Sequence, residues 1–457
     1  MHYKHIHFIG IGGIGMSGLA FLASCNNIVV SGCDIDIEQE TINHLKNHGC
    51  KIYKNHGNPA CFNNSIDLYV YSTRISINSS EIEHAKNLGI PILHRAQFLN
   101  MLLKNKKGIA VTGTHGKTTT TSMIAHLLIY AQYDPSVIVG AMVPSIGGNA
   151  RNGIHGSLFV AEADESDRSL LELHAPIKII TTIDYEHPET YIDLNDIQNT
   201  FKAFATKQET EVVFACIDNQ NITKLITSLK TPVITYSTKI PTASVYCTQI
   251  SLLQNSSTFF VHTNFQKPFL IELPVPGLHN ISNALGAIAT ALYLGISYQN
   301  IQIAFSTFQR PERRFSIRGK TQNGSIIIDD YAHHPAELEV LIKTARHFAK
   351  KKLTLIFQPH KYQRTKALWD DFIKILSHEM IDSLYITDIY SSGEQQIEGI
   401  NAHALAQSIK KQYPNKDITY ISLEDLQSTL LANIKQDETL LFAGAGNVYQ
   451  IGLKLVC

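Results

Sequence analysis

The sequence predicts an α/β protein of three domains, each built from alternating strands and helices. Three observations predict it. Near the start, a strand pattern runs into Gly10-Ile-Gly12-Gly-Ile-Gly15 and then into a helix-compatible stretch. A second strand, glycine turn and helix begin at Ile109, and five strand–helix alternations fill residues 313–457. That rhythm gives mainly parallel sheets, with ligands at the carboxyl ends of the strands. At roughly 100–200 residues per domain, a chain of 457 residues fits three, divided at 1–105, 106–312 and 313–457.

Composition narrows the class. A hydrophobic content of 44% with 17% charged residues describes a globular chain, not a disordered one. Lys+Arg and Asp+Glu both number 39, so no charge excess points to nucleic acid or to a membrane surface. Cysteines at 25, 33, 50, 61, 216, 247 and 457 form no CxxC pair, and their spacing suits neither a disulfide framework nor a structural zinc site. The start shows no signal-peptide pattern, and no apolar run reaches ~18 residues. A cytoplasmic protein without membrane insertion is expected.

In the first domain, Lys4–Ile9 alternates and then turns apolar, as a strand does, and a helix runs through Leu19–Ala23. The loop between them carries Gly10, Gly12, Gly13, Gly15, Met16 and Ser17, and Asp34 closes the next strand, Ile28–Asp34. Glycines at this spacing let the backbone approach a diphosphate closely. They do not say whose diphosphate: a nicotinamide dinucleotide and a UDP-sugar both suit the turn. Strand Asp67–Tyr71, helix Ser80–Leu88 and strand Ile90–Leu93 follow, and Lys104–Gly108 reads as a polar linker.

In the middle domain the strand at Ile109 feeds Gly113-Thr114-His115-Gly116-Lys117-Thr118-Thr119, and a helix is expected over Ser122–Tyr130. This is a phosphate cradle: backbone N–H groups and the helix dipole face the anion, Lys117 reaches the outer phosphates, and a Thr hydroxyl holds Mg²⁺. Val111 stands where the usual pattern has its first glycine, so the loop is a compact variant. Strands are expected at Ser136–Gly140 and Leu158–Asp167, the second ending in Glu162, Asp164, Glu165 and Asp167. A carboxylate at a neighbouring strand end is where a Mg²⁺ ligand belongs. Strand Lys178–Ile183 ends at Asp184-Tyr-Glu-His187, Val212–Ile217 is strand-like, and residues 230–273 alternate as β structure. Pro276 opens a helix through Leu294, with His279, Asn280 and Asn283 within one turn. Those three suit contact with a planar base, and helix capping by Asn is the plain alternative.

Arg310–Phe315 marks the hinge into the third domain. Strands are expected at Ser325–Asp330, Leu353–Gln358, Ser383–Thr387, Ile418–Ser422 and Thr439–Ala443. Polar residues gather at their carboxyl ends, in Asp329–His334, Gln358–Thr365 and Gly444–Asn447.

Taken in order, GIGGIGMSGLA, GTHGKTTT, EADESD, PGLHNISNA, RRF, DDYAHHP, FQPHKYQRT and GAGN cover the whole chain, and by them it resembles the Mur ligases, ATP-dependent amide-forming enzymes of peptidoglycan synthesis. EADESD and QPH-x-Y-x-RT favour the branch using L-alanine over the one attaching a ready-made tripeptide. The resemblance implies a Rossmann-like UDP-binding domain, a central P-loop ATPase-like domain and a doubly wound C-terminal domain. It implies that Gly113–Thr119 bind ATP, that Thr118 and Glu162 hold Mg²⁺, and that His187 touches a second Mg²⁺. His279, Asn280, Asn283, Arg314 and Asp330 would surround the nucleotide, while Gly10–Gly18, Asp34 and His56 hold the UDP moiety of UDP-N-acetylmuramate. Tyr331, His333, His360, Lys361 and Arg364 would face L-alanine, with Lys117, His187, His333 and Arg364 in catalytic positions. The assembly expected is a monomer or weak homodimer.

Two departures stand out. The family's N-x-E-x-D-H-x-D reads Thr182-Ile-Asp-Tyr-Glu-His187-Pro-Glu189 here, and its Arg after QPH is Lys361. From another class, an NAD(P)-dependent oxidoreductase would account for the first glycine loop and Asp34, but for neither the second loop nor its acidic partner.

Overall fold

The computed structural model describes residues 3–264 and 266–457, which form two compact units. The first comprises the chain up to Glu186, Asp193–Leu252 and Ser256–Pro311. It holds two sheets. Strands β1 (His5–Ile9), β2 (Val29–Asp34), β3 (Lys51–Lys54), β4 (Leu68–Tyr71) and β5 (Ile92–His94) pair in parallel in the order β3-β2-β1-β4-β5. β1 is buried throughout, as a central parallel strand covered on both faces must be.

The second sheet has ten strands. These are β6 (Lys107–Thr112), β7 (Ser136–Val143), β8 (Gly148–Arg151), β9 (Leu158–Glu162), β10 (Ile177–Ile180), β11 (Val212–Cys216), β12 (Val233–Ser237), β13 (Val245–Leu252), β14 (Ser257–Thr263) and β15 (Gln266–Leu273). Their order is β15-β14-β13-β12-β11-β10-β6-β9-β7-β8, antiparallel only at β13-β14-β15 and β7-β8. β6 lies centrally between β10 and β9, which places the phosphate loop beside the ends of both neighbours.

One apolar cluster joins the two sheets, running from Phe8, Leu19 and Phe98 to Ile138, Phe159 and Ala161. Gly18 makes that join possible, since a Cβ there would lie 2.9 Å from the Ile138 side chain. The same helix, Ile14–Ser24, is tied down by Asn149 Nδ2, which donates to Ile14 O at 2.5 Å and Ser17 Oγ at 2.9 Å.

Several local expectations shift. The helix expected from Ser122 begins at Lys117, because Gly116 in the left-handed region turns the chain directly into it. β9 stops at Glu162, and Asp164 and Asp167 accept from the backbone N–H groups of Ser166 and Ser169 two residues on. Such turns take the acidic run out of the ladder. Lys107 and Gly108 belong to β6 and not to a linker. β5 starts after Pro91, which has no N–H for the ladder.

The second unit comprises His187–Ile192, Leu253–Asn255 and Glu312–Cys457. Its strands are β16 (Ser316–Lys320), β17 (Ile326–Asp330), β18 (Leu353–Phe357), β19 (Ser383–Ile386), β20 (Ile418–Tyr420) and β21 (Thr439–Ala443), ordered β16-β17-β21-β18-β19-β20. All pairs are parallel except β16-β17, an edge the sequence reading did not foresee. Ile328, Leu355, Phe357 and Leu441 face one core, and Ile327, Ile356, Leu440 and Phe442 another. Burial on both faces explains why these strands read as continuous apolar runs. Among the described residues no helix is long and apolar enough to cross a membrane.

Candidate active site

The first glycine loop leaves β1 at Gly10, whose φ of +77° suits glycine, and enters the helix after Gly13. Asp34, at the end of β2, accepts from Gly12 N at 2.8 Å, so the carboxylate braces the loop from below. A Cβ on Gly12 would sit 3.0 Å from that carboxylate and 2.9 Å from Ile42. Gly15, Met16 and Ser17 form the first helical turn, beside Arg95. His56 instead directs Nδ1 to Cys33 Sγ at 3.2 Å.

The second loop is pinned by β10's continuation. Thr182 O accepts from Thr114 N at 3.0 Å, and Thr182 Oγ1 accepts from His115 N at 2.8 Å. Thr182, one of the departures noted in the sequence, holds the loop through both its carbonyl and its hydroxyl oxygen. Gly113 has φ +137°, and a Cβ there would overlap Thr181 Oγ1 at 2.1 Å. At Gly116, φ +84°, the obstacle would be Asn283 Oδ1 at 2.5 Å, which puts Asn283 directly against the loop. Asn280 on the same helix donates to Pro276 O at 2.6 Å, while His279 is exposed.

Lys117 Nζ donates to Gly113 O at 2.6 Å and to Glu165 Oε1 at 2.7 Å. Burial disfavours its charge, but the carboxylates of Glu165, Asp164 and Glu186 outweigh that and hold the ammonium protonated above its ordinary range. Glu165 is 1% exposed, and its carboxylate lies within 4.8 Å of that of Glu186. Beside this cation, Thr118 Oγ1 donates to Glu162 Oε2 at 3.3 Å, and Gly140 N donates to Glu162 Oε1 at 2.7 Å. A hydroxyl and a carboxylate paired at the start of the phosphate-loop helix are the hard oxygen donors that Mg²⁺ takes. Arg95 reaches Asp164 at 2.7 Å and Asp167 at 3.1 Å, contacts that no sequence pattern announced.

In the second unit, Asp330 ends β17 and accepts from Phe315 N and Ala332 N, each at 2.7 Å. Burial pushes its carboxyl up to about 6, against the pull of the Arg314 charge and of these N–H groups. Arg314 lies 5.6 Å from the Tyr331 ring, and Arg313 is sandwiched between Tyr331 and Tyr449 at 4.9 and 4.2 Å. The His333 ring meets Tyr331 at 5.4 Å and His360 at 5.2 Å, and His360 stacks on Tyr390 at 5.9 Å. Arg364, 2% exposed, donates from Nη1 to His360 Nδ1 at 3.0 Å. Tyr331, His333, His360 and Arg364 thus form one connected group, to which the structure adds Tyr390. His187 and Glu189 lie in the segment that belongs to this unit, with His187 Nδ1 3.4 Å from Glu189 Oε1. Glu189 also takes Lys361 Nζ at 3.1 Å, and although burial opposes ionisation, His187 and Lys361 hold its carboxyl well below the usual range.

A pH test follows from Asp330. Its folded value near 6 lies above the ordinary carboxylate value of about 3.9. Its contribution therefore favours folding fully below about 4 and is lost as pH rises through 6. Asp330→Asn is expected to flatten the dependence of Tm on pH between those limits, whatever its offset. Parallel Tm curves for variant and parent would show that the carboxyl is not raised.

Three family models match the chain: "Mur ligase family, catalytic domain" over residues 5–107, "Mur ligase middle domain" over 111–291 and "Mur ligase, glutamate ligase domain" over 313–446. A relative from Geotalea daltonii called UDP-N-acetylmuramate–L-alanine ligase is 37% identical over 455 residues, 99% of this chain and 97% of its own. One of the same name from Dictyoglomus turgidum is 38% identical over 458 residues, covering 100% and 97%. The crystal structure of UDP-N-acetylmuramate-alanine ligase from Thermotoga maritima superposes with a TM-score of 0.83 at 29% identity, over 99% of this chain and 98% of that one. A murein peptide ligase from Psychrobacter arcticus shares the fold at 22% identity, TM-score 0.75.

Proposed function

The chain belongs to the Mur ligase family, and from that premise we infer that it joins L-alanine to UDP-N-acetylmuramate at the expense of ATP in peptidoglycan synthesis. Family membership removes the oxidoreductase reading. Asp34, its main support, is occupied with the backbone of its own glycine loop. The observation that carries the reading in the structure is the second loop, where Lys117, Thr118, Glu162 and Asn283 converge.

A carboxylate is a poor electrophile, so amide formation requires its activation. In our reading the γ-phosphoryl of ATP passes to the lactyl carboxylate, giving an acyl phosphate and ADP. The amine of L-alanine then attacks the acyl carbon, and phosphate leaves as the amide forms. Bound Mg²⁺ would neutralise charge on the phosphate oxygens, held by Thr118 and Glu162, with His187 as the residue proposed for a second ion. Lys117 supplies the fixed positive charge that the phosphoryl group meets in transfer. Asn283, against the loop, with His279, Asn280, Arg314 and Asp330, is proposed to hold the rest of the nucleotide. Gly10–Gly18 and Asp34 are proposed for the UDP diphosphate and sugar, and the group around Arg364 for the amino acid. We propose that the three domains divide at 1–105, 106–312 and 313–457 and work in the cytoplasm.

The test is phosphate release from ATP with UDP-N-acetylmuramate and a panel of amino acids and peptides. Release with L-alanine is expected, and release only with a tripeptide would place the chain in the branch that attaches a ready-made tripeptide. The Mg²⁺ assignment has its own test. Glu162→Gln keeps the bond from Gly140 N but removes the charge that a hard cation prefers. Half-maximal activity should then need at least about tenfold more Mg²⁺, taking loss of a ligand to cost no less than that of an outer-shell partner. An unchanged Mg²⁺ titration would leave Glu162 as a brace for Gly140 alone.

A further inference from the structure

Beneath the first glycine loop, the first sheet buries a second group of metal-ligand side chains. His7 on β1, Cys33 on β2 and Cys61 on the short helical turn Pro59–Phe62 are each 0% exposed. One ligand atom from each lies within 4.8 Å of the other two. Cys33 also belongs to an adjoining group with His56 and Glu81 that meets the same limit. Cys33 Sγ is 3.2 Å from His56 Nδ1 and 3.6 Å from Glu81 Oε1. The sequence spacing gave no hint of this, because the residues come from elements far apart in the chain.

The state of His7 points to a ligand. Its Nδ1 is hydrogen-bonded to Ser31 Oγ at 2.9 Å, and Ser31 is fixed in turn by His5 Nε2 at 2.8 Å. That leaves Nε2, fully buried and with no hydrogen-bond partner. An imidazole anchored through one nitrogen, with the other making no hydrogen bond and the ring lying beside two thiols, is how a metal-bound histidine is held. Left unmet, such a buried atom carries the desolvation penalty of a lost hydrogen bond. Ile9, Ile66, Tyr69 and Ile82 pack around the two thiols, so bulk water does not reach the sulfurs.

We propose that His7, Cys33 and Cys61 bind one thiophilic divalent cation of the Zn²⁺ type, with Glu81 or His56 at the fourth position. Two sulfurs, an imidazole nitrogen and a carboxylate or second imidazole form a four-coordinate set that suits Zn²⁺ and not Mg²⁺. Binding releases the thiol protons of the two cysteines as they become thiolate ligands. The cation would brace the first glycine loop, because Cys33 O accepts from Gly10 N at 2.9 Å and Ile11 N at 3.1 Å.

The experiment titrates the full chain, reduced and stripped of metal by a chelator, with Co²⁺ under anaerobic conditions. One Co²⁺ per chain should bind with thiolate-to-cobalt charge-transfer absorption, and Zn²⁺ should abolish the bands. Cys61→Ser should weaken binding more than about 100-fold, beyond the loss typical of an outer-shell partner. His7→Gln should weaken binding while retaining charge transfer. Replacing both exposed cysteines, Cys25→Ser with Cys457→Ser, should change nothing. Because Cys61→Ser removes a core residue, unfolding of the unaltered chain gives a second readout: its Tm should rise with Zn²⁺ concentration. Absence of charge transfer at one equivalent, a flat Tm against Zn²⁺, or bands lost only on replacing Cys25 and Cys457 would each overturn the proposal.

Discussion

Lys117→Ala is expected to lower ligation by about 10²–10³-fold or more, while UDP-N-acetylmuramate binding stays within a few-fold of the parent. The reason is position. Lys117 opens the helix Lys117–Tyr130 at the second glycine loop, whereas the proposed UDP site sits on the five-stranded sheet. The variant also strips the buried Glu165 of its cation, and losing one partner of a buried pair costs about 3–5 kcal/mol. Thermal unfolding must therefore be measured alongside activity. Lys117→Ala with Glu165→Gln removes both charges and should recover part of the stability but none of the turnover. Wild-type turnover in either variant would exclude Lys117 from phosphoryl transfer.

How much of this site could be read from the sequence depended on distance along the chain. Glycine loops, the acidic run and strand-end clusters are local patterns, so Gly113, Gly116, Lys117 and Asp34 were legible where they stand. The partners that fix them were not. Thr182 holds the phosphate loop, Arg95 neutralises Asp164 and Asp167, and Asn149 ties the first helix to the second sheet. Each contact spans dozens of residues and uses a side chain with no motif of its own. The edge strand β16 was missed for a related reason: Ser316-Ile-Arg-Gly-Lys320 is short and mostly polar, and pairs by its backbone. The two departures from the family pattern gain a physical account only in three dimensions. Glu189 and Lys361, read as separate oddities, are the two ends of one ion pair at 3.1 Å. Acid and base have both changed length there, so the charge relation is kept.

That ion pair alters what is expected of the amino-acid site. Lys361 has φ +67° and caps the helix Tyr362–Ala367 while its ammonium is engaged by Glu189. Arg364, one turn later, is buried and aligned by His360. Because Arg364 can only donate, His360 Nδ1 accepts and its remaining proton sits on Nε2. An α-carboxylate offers two oxygens, which a planar guanidinium meets as a fork and an ammonium meets as a point. Arg364 therefore does most of the orienting. Arg364→Ala should raise the KM for L-alanine about 10–100-fold, the equivalent of one or two lost charge-assisted bonds at ~1.5–3 kcal/mol in all. Arg364→Lys should recover only a minor part of that loss, and neither should shift the KM for ATP by more than a few-fold. Lys361→Ala should do less harm, and Lys361→Arg should leave the L-alanine KM equal or slightly lower, since the longer fork can still reach Glu189. Steady-state kinetics across these four variants decide the roles. If Lys361→Ala is the most damaging, the carboxylate is held by Lys361, and the Glu189 pair is a resting contact that the substrate displaces.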